Sequence, residues 1–244
     1  MNEMINLLMN HRSVRKFNDK AVSDEVRTSI LQCAQMAPTS SYFQAYSIIH
    51  VVDPKKKAAL AASAGDQAWV EKAPLVLLFC ADLHRNQKYL VVKDEDILSN
   101  VESYTVGVTD AALAAQKAFI AAQCHGLGGV IVGGVRNDMD LMKKEFELPD
   151  LVAPLFLLCL GYYDKEPLQR PRLPYEVVVK TDCYSEENNA ELIEGYNQKV
   201  SEFFQTITKG AEKFTWVETC SYNLSIKPRY EVTDYVKNAG FLQK

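Results

Sequence analysis

From Ser23 onward an apolar position recurs every three to four residues, through Val26, Ile30, Leu31 and Ala34, until Pro38 interrupts it. That is the period of a helix buried along one side, so residues 24–36 are predicted to form an amphipathic helix. The pattern then changes. Ser47-Ile48-Ile49-His50-Val51-Val52 is a β-branched run that reads as a strand within 45–53, and Pro54 opens a short helix rich in lysine and alanine. Residues 65–72 read as a loop or short helix. The unbroken apolar run from Pro74 to Ala81 suits a strand covered on both faces. Residues 97–124 are alanine-rich and apolar on most sides, which places their helix inside the molecule or at a subunit interface.

Downstream, 128–135 is a strand bracketed by glycines, Asn137 is expected to cap a helix, 154–162 is a further apolar strand, and 176–180 a last short one. A helix over 190–207, a basic loop over 209–213 and shorter helical pieces reaching Leu242 complete the chain. Strands and helices alternate irregularly and no internal repeat occurs. The fold class expected is α+β, with a central sheet between helices. The pattern leaves the strand order open.

The 244 residues are 48% hydrophobic, enough to bury a large core in a single domain with a trailing arm. Lysine and arginine total 27 against 31 acidic residues, a net charge of -4, so no global basic field attracts nucleic acid or an anionic membrane. Any anion site must be local. The apolar stretches are too short or too interrupted to cross a bilayer, and Met1 to Asn10 fit neither a secretory signal nor a transit peptide, so a cytoplasmic location is expected. Cysteines 33, 80, 124, 159, 183 and 220 form no C-x-x-C pair and are expected to be buried, reduced thiols.

The densest chemical signal is His11-Arg12-Ser13-Val14-Arg15, which sets cationic groups and a hydroxyl together at the end of a short N-terminal helix. Guanidinium forks, a serine and backbone N–H groups suit a phosphate, although a solvated basic turn has the same composition. Arg170-Pro171-Arg172 holds two guanidinium groups on a proline-stiffened backbone, as an anion site or as an ordinary surface loop. The glycines from Gly126 to Gly134 allow bare backbone to approach a flat ligand or allow a core strand to pack tightly; their order does not match the G-x-G-x-x-G dinucleotide fingerprint. Thr39-Ser40-Ser41, with Gln44, offers hydroxyl and amide partners to a cofactor or makes a hydrogen-bonded turn. Gln67 and Trp69 offer an amide donor and an aromatic wall, with a core role open to Trp69. G-x-S-x-G, H-E-x-x-H, P-loop and EF-hand patterns are all missing, so hydrolase and metal readings lose their supports and no metal is expected. His50, His84 and His125 are read as structural.

Taken in order, His11-Arg12-Ser13-Val14-Arg15, Ala37-Pro38-Thr39-Ser40-Ser41, Gly65-Asp66-Gln67, Gly128 to Gly134 and Arg170-Pro171-Arg172-Leu173-Pro174 resemble the oxygen-insensitive nitroreductase and NAD(P)H flavin oxidoreductase family, in particular its major-nitroreductase branch. The resemblance runs from about residue 3 to 180 and continues more loosely through the C-terminal arm. It implies a nitroreductase-like sandwich with a mixed, mainly antiparallel sheet, in an interlocked homodimer. Residues 1–180 would be the FMN-binding core, and 181–244 a helical arm of the same domain wrapping the partner subunit.

By the same resemblance, His11, Arg12, Ser13 and Arg15 hold FMN from its phosphate side towards the ring, and Arg172 joins them at the phosphate. Thr39 belongs to the cofactor-binding set, and Ser40 and Ser41 come from the partner subunit. Gln67 approaches the polar edge of the isoalloxazine, the Val132-Gly133-Gly134 backbone lies against the ring, and Arg170 stands where relatives commonly carry lysine. Lys209 and Lys213 occupy the loop where relatives that prefer NADPH carry arginines, so NADPH is favoured over NADH as electron donor. FMN N5 carries the chemistry and no side chain is expected to be catalytic. The implied activity is ping-pong reduction of nitroaromatics, quinones or free flavins; the alternative is an FMN-binding redox sensor or storage protein.

Overall fold

The computed structural model describes residues 2–91, 94 and 96–243. In chain order its elements are α1 (Glu3–Met9), α2 (Asp24–Gln35), β1 (Tyr46–His50), α3 (Pro54–Ser63), α4 (Ala68–Lys72), β2 (Leu75–Asp82), α5 (His84–Tyr89), α6 (Val101–Cys124), β3 (Gly128–Val132), α7 (Met139–Glu145) and β4 (Val152–Gly161). They are followed by α8 (Tyr175–Val178), α9 (Asn189–Ile207), α10 (Trp216–Ile226) and α11 (Glu231–Asn238). The chain divides into two compact units, Met1–Glu166 with Arg229–Lys244, and Pro167–Pro228.

The first unit is built on a four-stranded sheet of order β1-β2-β4-β3 with every neighbouring pair antiparallel. A parallel bridge from Ser13 to Gly129 makes the sheet mixed. Side chains alternate across it, as the period of a strand requires. Leu75, Leu77 and Phe79 face a layer formed by Ile30 and Ala34 of α2 and by Ala114, Ala115 and Ala118 of α6. Val76, Leu78 and Cys80 face Leu60 and Ala61 of α3, Val70 of α4 and Met142 of α7. Both faces of β2 are therefore covered, which is why its sequence is apolar without a break. Ala45, Ala81, Leu83 and Leu151 close one end with Tyr235, Val236 and Phe241 from the C-terminal segment.

The second unit packs α10 against α9. Tyr196 and Trp216 meet edge to face at 6.0 Å, and Asn197 accepts a hydrogen bond from the Val217 amide. Thr215 and Glu218 form a reciprocal capping box at the start of α10.

Several local expectations are corrected. The long helix begins at Val101 rather than 97, because Asn100 caps the Ser103 amide. Asp138, not Asn137, caps α7 by accepting from Leu141; Asn137 instead donates to the Ser63 carbonyl. The strand expected to reach residue 135 stops at Val132, where Gly133–Asn137 tightens into a 3₁₀ turn. Residues 176–180 are not a strand. Pro174 precedes a single helical turn there, closed by Val179 donating to the Tyr175 carbonyl. Only Cys80 and Cys159 are buried; Cys33, Cys124 and Cys183 are exposed and Cys220 is intermediate, all as free thiols. No helix among the described residues is long and apolar enough to cross a membrane.

Candidate functional site

The basic segment after α1 is bound to the edge of the sheet. Val14 donates to the Gly129 carbonyl at 2.8 Å, beside the Ser13–Gly129 bridge, and is itself buried. His11 lies edge to face on Phe119 of α6 at 5.2 Å. The segment is thus an additional stretch of extended chain along β3, with the residues flanking Val14 left to carry charge.

Arg12 donates to the Asn10 carbonyl at 2.8 Å and lies 3.7 Å from Glu166, a long and partly exposed ion pair. Its Nε is buried with no hydrogen-bond partner. A buried charged donor without an acceptor is costly, so this atom marks a place where an anionic ligand oxygen fits. Beside it is a cleft of about 100 Å³ lined by Arg12, Val14, Gly128, Tyr163 and Glu166 among others. Arg15 extends over the ring of Trp69, 5.9 Å from its centroid. Gln67 is the N-cap position of the short helix carrying Trp69, so residues 11–15, 67–69 and the β3 edge meet in one unit.

The glycine run has an internal reason for its composition. A Cβ on Gly134 would sit 2.6 Å from Ala64 Cα, and one on Gly133 would sit 2.8 Å from the Arg136 guanidinium. Val132 is buried just before them. Close backbone packing accounts for Gly134, whereas Gly133 meets only the tip of the Arg136 side chain. Arg136 donates to the Leu155 carbonyl, and burial, reinforced by the charge of Arg229, lowers its pKa from the usual range. Arg229 donates to Asn137 at 2.9 Å. Neither arginine was singled out by motif, since each stands alone in the sequence.

Thr39, Ser40 and Ser41 lie on a different stretch of the surface, in a loop tied to Asp110 of α6. The Ser40 and Ala45 amides donate to the two oxygens of that fully buried carboxylate, each at 2.9 Å. Asp110 and Phe119 are separated by nine residues of α6, roughly 13 Å along its axis. Within this loop Ser41, Tyr42 and Gln44 all have positive φ, at 45°, 62° and 51°. Each such residue costs on the order of 1 kcal/mol or more unless its surroundings hold it. Arg85 donates to the carbonyls of Gln44 and Tyr46, and Asn86 to that of Phe43. Motif reading missed Asp110, although an acid within the apolar 106–115 stretch of a buried helix is itself a signal that donors must converge on it. Burial raises the pKa of neighbouring Tyr46, and the Asp110 charge adds to that rise.

In the second unit, Arg172 folds back to donate to the Arg170 carbonyl at 2.9 Å, and Arg170 stacks 6.0 Å from the Phe203 ring. Lys209 and Lys213 are exposed beyond the end of α9. A cleft of about 590 Å³ lies along β1 and α2 and is lined by Gln32, Phe43, Gln44, Ser47 and Arg85 among others. Of the residues offered as cofactor partners Gln44 lines it, while the cationic segment at residues 11–15 does not.

Fold and site together define an α+β sandwich protein with a cationic segment pinned to the glycine-rich edge of its sheet. The chain belongs to the nitroreductase family: residues 8–162 match the model for that family and residues 170–244 the model for its C-terminal domain. It is 39% identical to the FMN reductase (NADPH) of Bacillus subtilis, over 99% of both chains. Among solved structures it superimposes on the NfrA1 nitroreductase of B. subtilis with a TM-score of 0.95 at 37% identity, covering 99% of this chain and 100% of that one. The NADPH:FMN oxidoreductase of Vibrio harveyi, solved in complex with NAD+, matches with a TM-score of 0.89 at 34% identity over 100% of both.

Proposed function

We propose that the chain is an FMN-dependent NAD(P)H oxidoreductase, working as a homodimer in the cytoplasm and reducing nitroaromatics, quinones or free flavins in ping-pong fashion. The observation that carries this reading is the unsatisfied Nε of Arg12, buried on a segment fastened to the β3 edge, in a family whose full-length relatives are named for FMN and NADPH.

When bound, FMN would supply the hydride and electron transfer between the reduced nicotinamide and the acceptor. The protein's part is to bind and orient. In this reading His11, Arg12 and Ser13 hold the phosphate side, with Arg172, while Arg15, Gln67 and Arg170 supply cationic and amide partners for the polar edge of the ring. Preorganised charge there favours the anionic reduced form. The Val132-Gly133-Gly134 backbone forms the wall behind the ring, and Lys209 and Lys213 pair with the donor nucleotide's phosphate as point charges. Thr39, Ser40 and Ser41 serve the partner's site; their separation along α6 from the His11 contact supports that assignment.

Two features support the dimer. Helix α1 buries no residue in the single chain although Met4, Ile5 and Leu8 are apolar, and Leu113 of α6 is likewise exposed. In this reading the arm 181–244 wraps the partner around the 1–180 core, although Tyr235, Val236 and Phe241 near its end pack into this chain's own core. The test is the visible absorption spectrum of purified protein, followed by anaerobic addition of NADPH or NADH. Bleaching of the flavin band with electron transfer to an added quinone is expected. A yellow protein that does not bleach identifies a flavin-binding sensor, and a colourless protein that takes up no FMN overturns the reading.

A further inference from the structure

We infer that Asp110 is a positioning residue for the reaction: its buried carboxylate clamps the loop from Ser40 to Ala45 in a left-handed conformation that presents Ser40 and Ser41 to the flavin site. The inference rests on the reading above that these serines reach a flavin. The geometry is that of a brace. One oxygen of Asp110 takes the amide at the start of the loop and the other takes the amide at its end, 2.9 Å in each case. Between them run three non-glycine residues at positive φ, Ser41, Tyr42 and Gln44, a conformation that L-residues leave when released.

The rest of the loop's polar backbone is met from the opposite side. Arg85 takes the Gln44 and Tyr46 carbonyls, and Asn86 takes that of Phe43. Arg85 is in turn anchored on Asp82, which also accepts from Ser47. The tip of the loop is not held by packing, for Tyr42 is 83% exposed, whereas Ala45 at its end sits in the core. Polar bonds to α6 and α5, with Ala45 packed into the core at the loop's end, fix where Ser40 and Ser41 stand. A chain that needed only a turn here would use glycine at such positions. This one keeps side chains and supplies the brace.

Asp110→Asn is the first test, because asparagine accepts one amide and turns a donor toward the other. In the FMN-loaded wild type, hydrogen exchange at the Ser40 and Ala45 amides is expected to be slow; in Asp110→Asn it is expected to rise about tenfold or more, and kcat/KM for the acceptor to fall by a comparable factor. Tyr42→Gly alone leaves activity near wild type. Placed in the Asp110→Asn background, it removes the backbone penalty that the brace opposed and is expected to recover at least about threefold of the loss. Recovery separates positioning from mere core burial, which a glycine at an exposed site cannot repair.

Unchanged exchange and kinetics in Asp110→Asn overturn the inference, as does a loss that Tyr42→Gly leaves untouched. Arg85→Gln, a change on the surface, loosens the same loop from its other side and carries the same rescue test if Asp110→Asn does not fold; an undiminished Arg85→Gln then counts against the brace. The exchange measurement reports on the loop with or without flavin, so a wild type that binds no FMN defeats the functional reading separately. Fast exchange at Ser40 and Ala45 in that wild type would defeat the brace as well.

Discussion

Gly128 and Gly161 stand opposite each other in the ladder that joins β3 to β4, and both are glycines because another part of the chain crosses them. A Cβ on Gly128 would lie 2.5 Å from Val14 and 2.8 Å from Tyr163; one on Gly161 would lie 2.9 Å from Phe17. The pair opens a passage for residues 14–17, and so fixes where Arg12 and Arg15 are held.

Gly128→Ala is therefore expected to lift Val14 off the sheet and to destabilise the fold by about 1–3 kcal/mol through overpacking. FMN retention should fall with it. Thermal unfolding with and without added FMN checks this: a smaller flavin-induced rise in Tm than in the wild type is the expected result, and an unchanged rise would show that the passage does not set the site.

Arg15→Ala is expected to weaken FMN binding by about tenfold or more and to slow reduction by NADPH, since a charge-assisted contact is lost. Arg15→Lys keeps the charge and should recover part of the binding. Flavin fluorescence titration and anaerobic stopped-flow reduction measure the two effects. Unchanged flavin content and rate would remove Arg15 from the site.

Burial pushes the Cys159 thiol up to about 12, with the Lys57 ammonium pulling the other way, and burial raises Cys80 likewise, helped by Asp82. In the unfolded chain both titrate near ~8.5. Between those values the folded state keeps protons that the unfolded state has lost, so this contribution is complete below ~8.5 and diminishes as pH rises toward the folded value. The stability advantage of wild type over Cys159→Ala is expected to shrink above ~8.5 by up to about 1.4 kcal/mol per pH unit. Urea unfolding at pH 7, 9 and 10 reads the difference directly; a constant gap would contradict the assignment.

Leu8→Asp places a charge on the apolar side of α1, where Met4, Ile5 and Leu8 are exposed in the single chain. It is expected to shift the protein from dimer to monomer in sedimentation velocity and to reduce bound flavin. A wild type that sediments as a monomer would remove the homodimer and, with it, the shared site.

Much of this architecture is legible in the order of residues, for reasons particular to each element. Strand β2 announces itself because both its faces are covered, and α6 because alanines fill the layer against the sheet. Strand order, the stop of β3 at Val132 and the single helical turn at Tyr175–Val178 depend on contacts or short-range competition that a hydrophobic period does not encode. The candidate site divides the same way. His11 to Arg15 and Gly128 to Gly134 stand out as separate motifs, yet the Val14–Gly129 bond that joins them spans more than a hundred residues. Asp110 falls outside every motif because its partners are backbone amides, which carry no side-chain signature.

The fastening of residues 13 and 14 to Gly129 also bears on how the protein ages and fails. Strand β3 is the last of the sheet, and unpaired peptide groups at a sheet margin are a template for other chains. The cationic segment acts as its hem. Energy gained by a ligand on that segment strengthens the seam, so a starved, ligand-free molecule would present the raw border of its sheet more often than a loaded one. Supply of the small molecule and resistance to clumping would then rise and fall together, through the short bridge between residues 13–14 and Gly129.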